Sequence, residues 1–170
     1  MFNSIKKYEK VMSDITKLKE EGCSGFVSVK ALTENLEIVP RCSGVYYILR
    51  TSTSAPSFLK VGSGGHFKAK NPNVEISKLE NNWVEGAQIL YIGKATSLHD
   101  RLKQYMEFGQ GKPVGHWGGR FIWQLEDAKD LMVCWHTYPT EEDAGNTESS
   151  LIKKFKKEHN GMRPFANLRD

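Results

Sequence analysis

Gly44-Val45-Tyr46 and Tyr91-Ile92-Gly93 each set a tyrosine beside a glycine inside a short apolar run. Such runs, bounded by turn-forming residues, are too short for a stable helix and read as strands. Gly44 to Leu49 is therefore one strand and Gln88 to Ile92 a second. Leu131 to His136 (Leu-Met-Val-Cys-Trp-His) is a third. Helical patterns surround them. The chain is thus expected to form a small α+β domain, with about three antiparallel strands flanked by helices.

The helices announce themselves by caps and periodicity. Ser4 to about Glu21 carries Ile5, Tyr8, Val11, Met12, Ile15 and Leu18 on one side. Val27 to about Leu36 is a second short helix with Ser28 as its cap. Thr96 or Ser97 opens a helix to about Phe108, which the glycine-rich stretch Gly109 to Gly119 ends. Phe121 to Leu125 fits a helical turn or a strand, and the turn is preferred. Thr140, followed by Glu141, Glu142 and Asp143, suits the positive end of a helix that runs to His159 and closes at Asn160-Gly161. The expected organisation is one domain over 1–170, with a helical extension over 1–40 and a core over 44–170.

Residues 51–87 interrupt that core. They are rich in Ser, Gly, Asn and Pro, and they separate the two tyrosine strands by far more than a hairpin turn needs. A loop of this length usually carries function or moves. Ile76 to Trp83 gives it a short helix. Gly62-Ser63-Gly64-Gly65 is not a phosphate loop, because no Gly-Lys-Ser/Thr follows.

Charge and cysteine content narrow the class. The net charge of +4 is a weak pointer to an anionic partner, but its distribution says more. Lys94 to Arg120 holds five basic residues (Lys94, Arg101, Lys103, Lys112, Arg120) against Asp100 and Glu107. A solvated face and a nucleic-acid surface explain this equally well. Cys23, Cys42 and Cys134 form no CxxC pair, which disfavours structural zinc or a disulfide scaffold and leaves reduced core thiols. No apolar run approaches a membrane span, and Met1 to Glu20 lacks a signal peptide's apolar stretch, so the cytoplasm is the default expectation.

One carboxylate is out of place. On a wheel of the last helix, Ala144, Leu151, Ile152 and Phe155 share a side, and Glu148 falls in the middle of it. An ionised carboxylate on a core-facing stripe needs a partner, since desolvation costs several kcal/mol. That partner is either an arginine or a metal ion. Arg101 stands similarly at the edge of the Leu98, Leu102, Tyr105 stripe, where it either pairs with a buried acid or forks onto a phosphate. Tyrosines in strands are commonly just packing residues, and Tyr47 should point to the opposite sheet face as core.

In chain order, Gly44-Val45-Tyr46, Tyr91-Ile92-Gly93-Lys94, Arg101, Tyr105, Glu148 and Asn167 resemble the GIY-YIG nuclease superfamily. The resemblance is strongest to the incision domain of the bacterial excision-repair nuclease and to small stand-alone relatives. It implies a divalent-metal-dependent endonuclease acting on DNA, with Glu148 as the ligand of one Mg²⁺ or Mn²⁺ ion. It further implies Arg101 and Lys94 on the phosphate, Tyr105 as a hydroxyl one turn after Arg101, and Asn167 as a supporting hydrogen-bonder. One of Tyr46 and Tyr91 takes the proton from water, with Tyr46 preferred, and the other orients it. A phenol is only about 0.1% ionised at neutral pH, equivalent to about 4 kcal/mol, so neighbouring positive charge must help. Lys103, Lys112, His116, Trp117 and Arg120 are weaker candidates for contact with DNA. The alternative is a nucleic-acid-binding or protein-interaction module that keeps the fold and hydrolyses nothing.

Overall fold

Strand β2 (Gly44–Leu49) has no polar side, and all six of its residues are buried. A strand apolar on both faces must be covered on both and flanked at both edges. In the computed structural model, which describes residues 14–170, β2 pairs antiparallel with β3 (Ile89–Ala95) and β4 (Met132–Thr137). A further strand, β1 (Ser24–Ser28), pairs with β4, so the sheet has four strands in the order β1-β4-β2-β3.

The sequence pattern concealed β1 for a backbone reason. The strand carries a bulge between Gly25 and Val27, and both Gly25 and Phe26 have positive φ (94° and 58°). Two left-handed residues break the alternation that identifies a strand. Gly25 is required there twice over, because a Cβ would also stand 2.6 Å from the Trp135 ring. The segment before residue 40, expected to be helical, therefore also contributes a strand.

The helices are α1 (described over residues 14–20), α2 (Val29–Glu34), α3 (Ile76–Asn82), α4 (Leu98–Gly109) and α5 (Glu141–Glu158). Ile5, Tyr8, Val11 and Met12 lie outside the described residues. The caps act as read. Ser28 accepts from Ala31 N–H at 3.0 Å, and Thr140 accepts from Asp143 N–H at 3.1 Å. Of the two candidates for α4, Ser97 is the cap. Phe121 to Leu125 falls largely within a 3₁₀ stretch, Trp117–Gln124.

The sheet divides the core. Tyr46, Ile48, Tyr91, Val133 and Trp135 face Leu98, Leu102 and Tyr105 of α4, the 3₁₀ stretch, and Val29 and Leu32 of α2. Val45, Tyr47, Leu49, Ile92 and Cys134 face Ala144 and Ile152 of α5 and Leu18 of α1. Tyr47 is on the opposite face from Tyr46, as alternation requires. All three cysteines are free, though Cys42 is exposed rather than in the core.

The long insertion is folded onto the 3₁₀ stretch. Gln124 accepts from Val74 N–H and donates to the Leu59 and Val74 carbonyls. Phe58 stacks on Phe165 at 5.7 Å, with Trp83 edge-on to the same ring at 5.2 Å. At its base, Arg50 is buried against Asp127 at 2.8 Å and donates to the Ser54 carbonyl.

A candidate active site at the free edge of strand β3

Among the described residues strand β3 has one strand neighbour, so its outer edge carries backbone groups that no strand pairs. The C-terminal segment satisfies them. Ala166 N–H donates to the Leu90 carbonyl at 2.8 Å. Asn167 then acts as a surrogate strand residue, its Oδ1 accepting from Ile92 N–H at 2.9 Å and its Nδ2 donating to the Ile92 carbonyl at 2.8 Å. Asn167 is buried, not frayed. Alanine there would leave both Ile92 groups unpaired and should cost about 2 kcal/mol, read as a lower midpoint in denaturant with an unchanged slope.

Along this edge runs a cleft of about 950 Å³. Because it wraps the edge, it collects residues from both sheet faces: Tyr91 from one, Lys94 and Glu148 from the other, and Arg101 from α4. Trp117, Arg120, Asn167 and Arg169 also line it. No residue of the insertion does. The inserted segment therefore lines none of the cleft, although its Phe67 stands beside Gly115, whose carbonyl accepts from Arg101.

Glu148 projects from α5 with its side chain 19% exposed and its Oε2 4.0 Å from Lys94 Nζ. Burial raises its carboxyl above the ordinary glutamate range, against the opposing pull of Lys94, Arg169 and Arg101. Among the described residues no donor comes within hydrogen-bonding distance of it, and Arg101 makes no ion pair with it. Gly145, one turn earlier on α5, lies beside the lysine, and a Cβ there would make only van der Waals contact with Lys94 Nζ, at 3.4 Å.

Arg101 is held by its own helix and the following loop. Its Nη1 donates to Gln104 Oε1 at 3.1 Å and to the Gly115 carbonyl at 3.0 Å. Those bonds use both Nη1 protons and leave the Nε–Nη2 edge, a bidentate donor face, for an anion.

The tyrosines are layered. Tyr91 lines the cleft, 7% exposed, while Tyr46 and Tyr105 are wholly buried behind it. Tyr105 stacks on Tyr91 at 6.3 Å, and its hydroxyl has no hydrogen-bond partner among the described residues. Burial raises the hydroxyl pKa of all three, and for Tyr91 the charge of Arg101 opposes it. Tyr46 pairs across the strands with Gly93, whose missing side chain leaves space for the Tyr46 ring. Both motif glycines have such a reason: a Cβ on Gly44 would stand 2.5 Å from the His136 carbonyl oxygen.

The weaker candidates scatter. Lys103 and Lys112 are exposed on or after α4 and outside the cleft. Trp117 and Arg120 line it, the guanidinium lying 4.6 Å over the indole. His116 is a correction, because it is fully buried and cannot touch DNA. Its Nε2 lies 2.8 Å from the Tyr46 hydroxyl. Arg169 was not legible in advance. It is an isolated basic residue near the chain end, and only the Asn167 clip brings it to the cleft.

Residues 81–163 match the family described as the GIY-YIG catalytic domain. The match begins within the last residues of the insertion, so β2 and Tyr46 precede it and Asn167 follows it. The chain is also 38% identical over 76 residues to the UvrABC system protein C of Nautilia profundicola. That similarity spans 45% of this chain and 12% of the longer protein. No solved structure matches significantly. Over residues 81–163, which hold Tyr91, Arg101 and Glu148 of the strand-edge cleft, the chain is similar to the GIY-YIG catalytic domain.

Proposed function

We propose that this chain is a divalent-metal-dependent endonuclease that hydrolyses DNA phosphodiester bonds in the cleft along β3. The observation that carries this reading is one half-buried carboxylate, without a hydrogen-bond donor, facing an arginine whose bidentate edge is free. Lys94, Arg101, Arg120 and Arg169 make the cleft basic, although Glu141, Glu148 and Asp170 also line it. Asp170 is already engaged by Arg163 and Lys156. A phosphodiester backbone suits that balance.

Glu148 fits a hard cation on its surroundings. Among the described residues no group of three or more His, Cys, Asp or Glu could hold a metal ion. A single carboxylate with water and phosphate oxygens completing the shell is the arrangement Mg²⁺ or Mn²⁺ accepts. Such an ion would polarise a phosphate oxygen and make charge separation at the phosphate easier.

The chain's own groups do the rest. The Nε–Nη2 edge of Arg101 takes two oxygens of the scissile phosphate and aligns it. Lys94, near Glu148, adds positive charge where the phosphate's charge grows. Tyr91 is the hydroxyl that reaches the cleft and so meets the attacking water, with Tyr46 behind it.

Nicking of supercoiled plasmid with Mg²⁺ or Mn²⁺ tests the reading. Wild type should nick only when metal is present. Arg101→Lys keeps the charge but loses the fork and the Gly115 tie, and should slow nicking about tenfold or more. If wild type is inert on plasmid, single-stranded, flap and branched DNA but still binds them, the binding-module reading replaces this one.

A further inference from the structure

Lys94, Arg101 and Glu148 need nothing deeper in the protein, yet a buried imidazole sits directly behind the tyrosines. His116 has no exposed surface although it follows the exposed Gly115. Its Nε2 lies 2.8 Å from the Tyr46 hydroxyl, and its Nδ1 has no partner among the described residues. The groups facing it are Tyr46 from β2, Tyr91 from β3, and Tyr105 and Arg101 from α4. Ring centroids stand 6.3, 6.1 and 4.3 Å away for the three tyrosines in that order. The Arg101 bond to the Gly115 carbonyl anchors the loop beside it, and Gly119 gives it room, since a Cβ there would meet its ring at 3.2 Å.

A buried ring nitrogen without a partner is costly, and a phenylalanine would fill this space without that cost. The imidazole is therefore needed for its lone pair or its proton. Burial, and next the Arg101 charge, hold its pKa well below the ordinary histidine value. At neutral pH it is thus uncharged, with one nitrogen able to accept.

We propose that His116 is a positioning residue of the β3-edge site, acting through Tyr46: its Nε2 accepts the Tyr46 hydroxyl proton and turns the Tyr46 oxygen lone pairs toward Tyr91. The proposal rests on the nuclease reading. As water attacks phosphorus, the new P–O bond forms while the bond from phosphorus to the leaving sugar oxygen breaks. That oxygen departs with the electron pair and takes a proton from solvent. The attacking water's O–H bond breaks, and its proton joins the Tyr91 oxygen. The Tyr91 proton moves to Tyr46, and the Tyr46 proton moves to His116 Nε2, giving imidazolium. After product leaves, the proton returns along the same path to solvent. No tyrosine has to persist as phenolate; the proton rests instead on a buried imidazole, which is itself a weak base. A phosphate on Arg101 strengthens the acceptor only in part, because it offsets the cationic field, the second cause of the low His116 pKa, and leaves burial, the first, in place.

Two measurements on the full chain decide it. In metal-free protein labelled with ¹⁵N-histidine, His116 at neutral pH should be the Nδ1–H tautomer, and Tyr46→Phe should shift its Nε2 resonance. A protonated Nε2 overturns the proposal. In cleavage, His116→Phe should lower kcat about 100-fold with KM unchanged, and the curved dependence of wild-type rate on D₂O fraction should become linear. His116→Gln, which keeps an acceptor, should retain part of the rate and guards against a misfolded phenylalanine variant. Equal rates for wild type and both variants overturn the proposal while leaving the nuclease reading standing. A wild type inert on every DNA substrate overturns the nuclease reading, and with it the relay.

Discussion

Glu148→Gln should abolish metal-dependent cleavage while leaving DNA bound. The substitution preserves shape and removes only the negative charge, so Lys94, Arg101, Arg120 and Arg169 still line the cleft and still attract phosphate. The loss should be at least about 10³-fold in rate, or about 4 kcal/mol of transition-state stabilisation. Stability should move the other way. Because folding raises the Glu148 pKa, the folded protein holds that proton to higher pH than the unfolded chain does. Wild-type stability therefore falls as pH rises from the ordinary glutamate range through the raised folded value, and above it the full penalty applies. In EDTA at neutral pH, Glu148→Gln should melt no lower than wild type, and slightly higher. Plasmid nicking, a gel shift without metal and thermal unfolding check all three parts. A glutamine variant that nicks at wild-type rate would remove Glu148 from the site, and one that is markedly less stable would mean the carboxylate is a structural partner.

Gly93→Ala should damage fold and site together. A Cβ at 93 would stand 2.4 Å from Tyr46 Cζ and 2.6 Å from its hydroxyl oxygen. The ring cannot retreat, because it is fully buried among Tyr91, Tyr105 and His116. Overpacking of this kind costs about 3 kcal/mol, or about 10 °C in melting temperature for a chain this size. Any rearrangement that relieves it also displaces the Tyr46 hydroxyl from His116. Gly118→Ala is the matched control at the mouth of the cleft, where a Cβ would make an ordinary 3.6 Å contact with the Tyr91 hydroxyl. It should melt within about 1 °C of wild type. Equal stability of the two variants would mean that Gly93 is not what seats Tyr46.

The outcome for Glu148 illustrates how far a sequence reaches. Its place on the apolar stripe of α5 marked it as anomalous, because helical periodicity alone says which side faces the core. Whether it met an arginine or stood open to a cleft depended on where α5 crosses the sheet, and Arg101 turned out to be tied to Gly115 instead. His116 shows the converse. Surrounded by glycines and basic residues, it looked like part of an exposed loop, yet the 3₁₀ stretch folds it beneath the tyrosines.

Local chemistry determined what could be read from the chain: apolar runs, caps at Ser28 and Thr140, the ordered tyrosine, arginine and glutamate motifs, and the sheet face of Tyr47. Each depends on neighbours within a turn or a strand period. Tertiary structure alone decided the bulged β1, the docking of the insertion away from the cleft, and the Asn167 clip. It also decided that Tyr91 rather than Tyr46 meets the cleft. These depend on strand order and on which edge of the sheet stays open, and pairing between segments far apart in the chain leaves no periodic trace in either one.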